Sequence, residues 1–540
     1  MLNALALFLI EQPMISILRS GCVLAAFLLI HASAHSVGVE KVSVNAREIS
    51  VELSGEASAL VEFAPYGQPI ATNAVQSGAA NPNSPARPIV LARFEAERDR
   101  LYSSFAAAAR VGDGLKIIGT NRYAERLENI SRYVQPFPTA ASKKGLQVQM
   151  LDDALKLGVK HAALNVNLTQ LVDPNGATNS IPWTVDGRVI HFRRPAIAGL
   201  DRQVKTLTDA GVIVTFIVLT YASGNPALDA VMLHPRYDRT APNHLGAFNS
   251  ETPDGVRHLR GFFEFLADRY SNPAEYGGRA PNYILGNEVN SHWFWSNMGR
   301  VSMPTFAESY LRAARIAATA LRKASSSARL YLSLEHHWSV KYAGGDAQQA
   351  FPGRQFLEYF NRRALEQGNF EWHLAFHPYP ENLFEPRTWR DKSATTNANT
   401  PRITFRNLQM LGKFFQRPEL RWNGEARHVI LSEQGFHTVD GPNGELWQAS
   451  AYAYAYYKAA HDSAIDAFIL HRHVDHGQEG GLKLGLWSRD ESAKSPATPK
   501  AQKKIYEVFR LADTPEWRSA FEFALPVIGI AGWEELESRN

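Results

Sequence analysis

Residues 282–290 read NYILGNEVN, and this stretch decides the fold. The apolar run 283–285 ends at Gly286, and the polar residues Asn287, Glu288 and Asn290 follow at once. An apolar run without alternation is typical of a strand that is buried on both faces, as in a parallel sheet covered by helices. A carboxylate directly after such a strand is either an ordinary polar strand end or a group at the mouth of a barrel, where catalytic side chains lie.

The same unit of amphipathic helix, glycine or loop, and apolar strand recurs from about residue 145 onward. The predicted strands are 161–168, 212–219, 282–286, 329–334, 372–376, 428–432 and 466–471. The helices before them are predicted at 150–157, 200–210, 255–270, 305–323, 354–366, 402–416 and 447–461, and a last helix at 499–511. Buried parallel strands joined by helices form either an α/β barrel or a doubly wound sheet.

We interpret the series as strands two to eight of a (β/α)8 TIM barrel, with strand one expected somewhere in 113–137. A doubly wound sheet is the alternative. No glycine-rich phosphate loop follows any of these strands in the sequence, so a dinucleotide-binding role loses its usual support.

Residues 40–120 have a different pattern, in which apolar and polar residues alternate and turns are frequent. Examples are Val42–Val44, Ile49–Leu53 and Ala59–Phe63. Period-two patterning broken by Gly, Pro and Asn predicts short antiparallel strands, and hence a small N-terminal antiparallel β domain before the barrel. The predicted domains are a β-rich domain at 35–125, the barrel at 126–515 and a C-terminal extension at 516–540.

The first 34 residues are typical of a secretory signal. Arg19 precedes the apolar run 22–30, and the small residues Ala32-Ser33-Ala34 follow it. We expect export, with cleavage near Ala34. Cys22 is the only cysteine of the chain and lies in this segment, so the mature protein is expected to have no disulfide bond.

The bulk composition is that of a soluble globular protein, with 45% hydrophobic and 20% charged residues in a chain of 540. The net charge of +4 comes from 57 basic and 53 acidic residues that are spread along the chain. Without a basic block or an aromatic–basic repeat, nothing in the sequence indicates a nucleic-acid partner.

Two glutamates occupy equivalent places in this pattern. Glu288 follows predicted strand four, and Glu433 follows predicted strand seven in the stretch HVILSEQGF, residues 428–436. In a barrel, all strands end at the same rim, so both carboxylates are expected at one mouth.

An Asn-Glu pair after strand four and a Glu after strand seven resemble the retaining (β/α)8 glycoside hydrolases of clan A. Within that superfamily the chain is similar to an uncharacterised bacterial group that is catalogued only as a domain of unknown function. The resemblance implies that Glu288 is the acid/base, that Glu433 is the nucleophile, and that Asn287 donates to the sugar 2-hydroxyl. It implies no metal or organic cofactor.

Further residues at predicted strand ends are candidates for binding the substrate or supporting the carboxylates. In the clan a tyrosine near the end of strand six often contacts the nucleophile, which suggests Tyr379 or His377 for that role. Flat aromatic faces stack on sugar rings, so tryptophans in the predicted mouth loops are also candidates. The predicted substrate-binding set is Asn165, Asn167, Asn287, Trp293, Trp295, Glu335, His336, Trp338, His377, Tyr379, His471 and His473, and Trp389 and Trp487 are further loop tryptophans.

The segment HRHVDH, residues 471–476, supports a rival from another class. It matches the His-x-His-x-Asp-His pattern of zinc-dependent metallo-β-lactamase-type hydrolases. Imidazoles and a carboxylate are suitable zinc ligands, so the segment is a candidate metal site. That fold supplies further ligands downstream, whereas His476 is the last histidine of this chain. A third alternative is a non-catalytic barrel that only binds glycans.

The sequence therefore predicts a secreted or periplasmic retaining glycoside hydrolase that acts on a poly- or oligosaccharide by a two-glutamate double displacement. The expected partner is a carbohydrate substrate, with no nucleic acid and no stable membrane insertion after the signal is removed.

Overall fold

A computed structural model of the chain describes residues 38–54, 57–74 and 88–537. Its centre is a closed barrel of eight parallel strands, which confirms the predicted (β/α)8 fold and is incompatible with the doubly wound sheet. The barrel strands one to eight are Lys144–Gln147, His161–Asn167, Ile213–Leu219, Asn282–Leu285, Arg329–Glu335, His373–His377, Val429–Gln434 and Ile465–Leu470.

The barrel strands are buried on both faces, as their apolar runs predict. Every residue of Ile213–Leu219, Asn282–Leu285 and His373–His377 is buried. One set of side chains fills the barrel interior, while the other packs on the surrounding helices. The interior cluster consists of Ala163, Ile217, Leu219, Leu245, Ile284, Tyr331, Ala375, Ile430, Ala467 and Ile469.

Strand one lies at Lys144–Gln147, so its expected location in 113–137 is wrong. Residues Gly114–Tyr123 instead pair antiparallel with Ser104–Val111 in the N-terminal part of the chain. The sequence KGLQ carries no apolar run because a glycine replaces the usual interior side chain. A Cβ on Gly145 would lie 2.8 Å from Cβ of His161 and 3.0 Å from Cγ1 of Ile469.

The helices of the barrel alternate with the strands. Their bounds are Leu151–Lys156, Leu168–Leu171, Arg194–Asp209, Pro226–Met232, Pro253–Arg269, Pro273–Tyr276, His292–Trp295, Met303–Ala324, Gly353–Glu366, Gln409–Phe415, Gly444–His461 and Lys504–Leu511. Short helices follow at Trp517–Phe521, Leu525–Ile528 and Glu534–Glu537. The predicted helix at 402–416 is shorter than expected, and Pro499–Gln502, predicted as helix, pairs with Trp487–Arg489 as a strand.

The N-terminal part of the chain forms two four-stranded sheets and a small hairpin. One sheet contains, in spatial order, Arg126–Leu127, Gly38–Val44, Glu48–Ser54 and Ile89–Ala92. The other contains Pro69–Ala74, Ala59–Phe63, Ser104–Val111 and Gly114–Tyr123. The pairings are antiparallel except that of Arg126–Leu127 with the first strand, which is parallel, so the predicted small β region is present.

A buried polar contact joins this β region to the barrel helices. The Tyr102 hydroxyl donates a hydrogen bond of 2.6 Å to Oε1 of Glu264, which also accepts from Arg260 at 2.9 Å and Lys323 at 3.0 Å. Burial works against the charge of Glu264, but Arg260 and Lys323 lower its pKa, so the carboxylate stays ionised. Removing a partner from such a buried charge is costly, so the contact fixes the β region on the barrel.

The predicted signal segment, residues 1–34, lies outside the described residues. Among the residues that the structure describes, no helix combines the length and the apolar character needed to cross a membrane.

Gly145→Ala is expected to destabilise the protein because its methyl group would overlap His161 and Ile469 inside the closed barrel. The free energy of unfolding should fall by about 1–3 kcal/mol in urea denaturation. Gly199→Ala is the matched control, because this helical position has no neighbour within 4 Å, and it should gain about 0.5–1 kcal/mol. Equal stability of the two variants would contradict the assignment of strand one.

Candidate active site

Glu288 is held in an unusual turn at the end of barrel strand four. Its φ of +40° lies in the left-handed region, which a residue with a side chain rarely adopts, and Gly286 two residues earlier has a φ of +77°. The Glu288 backbone N–H donates a hydrogen bond of 2.9 Å to the Ser333 hydroxyl on strand five. Non-glycine residues in this conformation are concentrated at functional sites, where surrounding contacts maintain the strain.

Glu433 lies on strand seven, where the pairing with strand eight changes register between Leu431 and Gln434. Irregular pairing of this kind redirects side chains next to active sites. The backbone passes so close to strand eight that a Cβ on Gly435 would lie 2.2 Å from the His471 carbonyl oxygen. The stretch Ser432-Glu433-Gln434-Gly435 therefore needs glycine as its last residue.

The two glutamates converge, as the sequence predicts. One carboxylate oxygen of Glu288, one of Glu433 and a ring nitrogen of His377 all lie within 4.8 Å of one another. His377 Nδ1 is 2.9 Å from Oε1 of Glu288, and its Nε2 is 3.1 Å from the Ser432 hydroxyl. The side chains of Glu288 and His377 are only 13% and 2% exposed, so these groups are largely shielded from solvent.

The environment moves the two carboxyl pKa values in opposite directions. Burial raises the pKa of Glu288, and the negative charges of Glu433 and Glu335 raise it further against the effect of His377. Burial opposes the charge of Glu433 too, but His471, His377 and the Tyr379 hydroxyl outweigh it and lower its pKa. The pKa of His377 is raised by the surrounding carboxylates despite its burial. A proton is therefore held on the Glu288–His377 pair while Glu433 stays ionised.

Tyr379 is the hydrogen-bond donor to Glu433, with its hydroxyl 3.1 Å from Oε1. His377 instead contacts Glu288, so of the two candidates at the end of strand six it is Tyr379 that orients Glu433. His471, at the end of strand eight, bonds to Oε1 of Gln147 and, at 2.8 Å, to Oε1 of Glu479. Tyr379, His471 and Glu479 thus surround Glu433 in an arrangement that is fixed by hydrogen bonds.

Glu335 supports the Glu288 turn rather than standing open to the pocket. Its Oε1 accepts from Asn290 at 2.6 Å and Ser291 at 3.1 Å, and its backbone N–H donates to Oδ1 of Asn290 at 3.0 Å. Its Oε2 accepts from the His337 backbone at 2.8 Å and from His337 Nδ1 at 2.5 Å. Burial disfavours the charge, but the hydrogen bonds from His337 and the electrostatic effect of the His337 and His336 rings lower the pKa of Glu335 to about 2.

The tryptophan predictions are partly wrong. Trp338 is 2% exposed and packs edge-on against Phe414, with ring centroids 4.8 Å apart, so it has no free face for a sugar. Trp293 is also buried, at 8% exposure. Trp295 is half-buried and packs on the barrel-interior cluster at the mouth, where a ligand can reach it.

The HRHVDH side chains do not come together. His473 is fully buried and contacts Asp153, 2.9 Å from its Nε2, so its predicted place in the substrate pocket is wrong. The Asp475 carboxylate accepts a hydrogen bond of 2.9 Å from Lys503, and His471 is hydrogen-bonded to Glu479. These groups have separate protein partners, which removes the basis of the zinc-hydrolase rival.

Within the described residues, two other clusters have the donor atoms of a metal site, but these atoms already have hydrogen-bond partners in the protein. In Glu335–His336–His337, the carboxylate accepts four hydrogen bonds, and His336 Nδ1 donates to the Tyr379 carbonyl at 3.0 Å. In Glu288–His377–Glu433, both ring nitrogens of His377 have hydrogen-bond partners. A metal ion would have to displace these contacts.

The predicted asparagines differ in their freedom to bind a ligand. Asn165 is exposed near the end of strand two, and Gln147 Nε2 lies 3.4 Å from its Oδ1. Asn167 caps the following helix by accepting from Thr169 N at 3.1 Å. Asn287 is half-buried beside Glu288, and no hydrogen bond to its amide is found within the described part of the chain.

Sequence reasoning missed Gln147, Tyr221 and Glu479. Gln147 lies on strand one, which carried no strand signal. Tyr221 comes two residues after strand three and packs on the barrel-interior cluster, and burial together with the charge of Glu433 raises its pKa. Glu479 comes from the long loop after strand eight, and a glutamate followed by two glycines is not a recognisable site motif. The place of Tyr221 just after an apolar run is the signal that could have revealed it.

Residues 136–536 match the family model described as "Family of unknown function (DUF5722)", and the chain belongs to this family. The predicted similarity to a group of unknown function is thereby confirmed. Among curated proteins, no sequence matches the chain.

Solved structures with a related chain path include glycoside hydrolases. One is a family 39 glycoside hydrolase from Bacteroides cellulosilyticus WH2, with 14% identity, a TM-score of 0.44 and coverage of 87% of this chain and 82% of that one. Another is a β-glucosidase from Pyrococcus furiosus, with 14% identity, a TM-score of 0.44 and coverage of 70% and 86%. A family 1 β-glucosidase from Thermotoga maritima has 12% identity, a TM-score of 0.42 and coverage of 67% and 84%. Likenesses at this level identify neither a mechanism nor a substrate.

Glu335→Gln should change how stability depends on pH. The pKa of Glu335 is about 2 in the folded protein and 4.5 in the absence of partners, so its ionised form stabilises the fold above pH 4.5. That contribution is lost as the pH falls from 4.5 toward 2, on the order of 3 kcal/mol in total. In urea denaturation from pH 7 to pH 3, the stability gap between wild type and variant should therefore narrow below pH 4.5.

The control is Glu97→Gln, which makes the same substitution at an exposed glutamate and so separates the effect of burial from that of losing a carboxylate. A gap for Glu335→Gln that stays equally wide at pH 7 and pH 3 would contradict the low pKa of this residue.

Proposed function

We propose that this member of the DUF5722 family is a retaining glycoside hydrolase that cleaves a poly- or oligosaccharide by double displacement. The observation that carries the proposal is the pair Glu288 and Glu433, with carboxylate oxygens within 4.8 Å and with pKa values moved in opposite directions. Retaining enzymes place their carboxyl groups about 5–5.5 Å apart, whereas inverting enzymes need about 6.5–9.5 Å to admit a water molecule.

Glu433 acts as the nucleophile. Its lowered pKa keeps it ionised, and the Tyr379 hydroxyl holds one oxygen so that the other can attack the anomeric carbon. The attack forms a glycosyl–Glu433 ester and breaks the bond from the anomeric carbon to the leaving oxygen. As the ester forms, the negative charge leaves Glu433, which also weakens its effect on Glu288.

Glu288 acts first as the acid and then as the base. Its raised pKa lets it hold a proton in the free enzyme and pass it to the leaving oxygen as that bond breaks. The resulting carboxylate next accepts a proton from water, which attacks the anomeric carbon and releases Glu433. His377 stays hydrogen-bonded to Glu288 and stabilises the ionised form between these two steps.

The remaining residues of the mouth contact the sugar that is cleaved. Asn287 lies next to Glu288 with a free amide and suits a sugar hydroxyl, which is the role expected for it. Asn165, Tyr221 and Trp295 lie near the ends of strands two, three and four. The polar groups would fix the hydroxyls, and the aromatic rings would cover the apolar face of the ring.

A non-catalytic barrel that binds glycans would have the same fold, but it would not account for the opposite pKa shifts of Glu288 and Glu433. A glycan-binding barrel has no need for a strained backbone at Glu288 or for one protonated and one ionised carboxyl group in contact. We also propose that the protein works outside the cytoplasm, in the periplasm or secreted, because its first 34 residues have the order of a secretory signal. Its partner would be a carbohydrate, without nucleic acid and without stable insertion in a membrane.

Glu433→Ala is expected to lower kcat by about 10⁴-fold or more on every cleaved substrate, because no covalent intermediate can form. Glu288→Ala should be slow on unactivated sugars but much less impaired on 2,4-dinitrophenyl glycosides, whose leaving group needs no proton. Added azide should then speed Glu288→Ala by replacing water in the second step. The rates are measured over a panel of 2,4-dinitrophenyl glycosides and oligosaccharides.

Glu425→Gln is the matched control, since this exposed glutamate precedes strand seven at the opposite end of the barrel and should not affect the rate. Wild-type hydrolysis that persists in Glu433→Ala would rule out the proposed mechanism. Binding of glycans without any hydrolysis would favour the non-catalytic barrel.

A further inference from the structure

Two aromatic rings form an exposed surface beside the Glu288 loop. Phe294 follows Glu288 by six residues, and Tyr342 comes from the loop after strand five. Their rings meet edge to face, with centroids 5.0 Å apart and an interplanar angle of 88°. Tyr342 is 40% exposed and Phe294 is half-buried, so the pair offers a free ring face at the mouth. We call this pair the aromatic shelf.

The shelf is built into the loop by two glycines. A Cβ on Gly344 would lie 2.6 Å from Cε1 and 2.8 Å from Cζ of Tyr342, and one on Gly345 would lie 3.2 Å from Cε2 of Phe294. The turn closes with a hydrogen bond of 3.2 Å from Gly345 N to the Tyr342 carbonyl, and Lys341 also donates to the Gly345 carbonyl. The rings are thus held against bare backbone, which leaves little freedom to be lost on binding.

The shelf connects to the acid candidate through a short series of contacts. The Tyr342 ring lies 5.7 Å from the His337 ring, and His337 donates to Glu335. Glu335 in turn holds Asn290, two residues beyond Glu288. A ligand on the shelf would therefore lie on the side of the pocket where Glu288 donates its proton, which is the side of the leaving group.

We infer that the aromatic shelf of Phe294 and Tyr342 binds a sugar unit of the leaving group, so that the substrate is an oligo- or polysaccharide with at least one sugar beyond the cleaved bond. This inference rests on the proposed function, because it takes its direction from Glu288 as the acid. It adds the place where a sugar of the leaving group binds, which the two glutamates alone do not define.

The polar rim of the shelf favours a sugar over an apolar aglycone. Lys341 lies next to Tyr342 in the chain. Asp346, in the same loop as Tyr342, forms an exposed ion pair with Arg300, and the two side chains are 50% and 46% exposed. A sugar presents apolar C–H groups to a ring face and hydroxyls to its edges, which matches an aromatic surface between charged groups. An alkyl or aryl aglycone would gain nothing from these charges.

The test compares substrates with and without a sugar in the leaving group. The oligosaccharide probes are tetrasaccharides built of glucose, xylose, mannose or galactose, and the small probes are the glycosyl fluorides of the same sugars. Tyr342→Ala should lower kcat/KM on the cleaved tetrasaccharide by roughly 5- to 10-fold, from the loss of one aromatic contact. It should leave kcat/KM on the matching fluoride unchanged, because fluoride has no ring to stack.

Two variants control for other effects. Tyr342→Phe keeps the ring and should remain near wild type on both substrates. Phe94→Ala removes an equally exposed ring, 52% exposed, from the N-terminal β region and should change neither rate. Equal losses on the tetrasaccharide and the fluoride, or no loss on either, would overturn the shelf.

Binding separates a failure of the shelf from a failure of the proposed reaction. Calorimetric titration of the same tetrasaccharides into Glu433→Gln, with and without Tyr342→Ala, should show Kd weakened by roughly 5- to 10-fold. Binding that depends on Tyr342 in a protein that never hydrolyses sugars would leave the shelf intact and refute the reaction. Hydrolysis with binding that is indifferent to Tyr342, or no binding of any tetrasaccharide, would refute the shelf.

Discussion

Two carboxylates that lie within 4.8 Å of each other and are partly shielded from solvent repel strongly, and the rest of the site depends on how this repulsion is resolved. The structure resolves it by asymmetry. Glu433 accepts a hydrogen bond from the Tyr379 hydroxyl and lies near imidazoles that lower its pKa. The charged form of Glu288 is instead disfavoured by burial and by two other carboxylates, which raise its pKa. One group therefore carries the negative charge and the other carries the proton, as a double displacement requires.

The barrel makes this pair possible because closure of eight strands brings the ends of strands four and seven to one rim. The Glu288 turn needs further support, since its left-handed backbone is unfavourable for a residue with a side chain. Strand five supplies it through Ser333 and through Glu335, which binds Asn290 and Ser291. Glu335 thus affects Glu288 in two ways. It holds the loop that carries Glu288, and its negative charge raises the pKa of Glu288.

Much of this could be predicted from the sequence, because strands two to eight are apolar runs followed by polar residues. Glu288 and Glu433 could be found since both follow such runs directly. Strand one could not, because Gly145 leaves its interior position empty and Lys144 extends to the carbonyls of Arg510 and Ala512. Nor does a sequence tell a buried tryptophan such as Trp338 from an open ring such as Tyr342, since both lie in loops and differ only in what packs on them. The different positions of His471 and His473 could not be predicted either, because His471 contacts Glu479 and His473 contacts the distant Asp153.

The configuration of the sugar that is released first tests the central claim most directly. Proton NMR of the reaction on an oligosaccharide, recorded before mutarotation, reports whether the new reducing end has the anomeric configuration of the bond that was cleaved. Carboxylate oxygens of Glu288 and Glu433 within 4.8 Å of each other suit direct attack by Glu433 in the first step rather than attack by an interposed water molecule, so retention is expected. A first product of inverted configuration would contradict it.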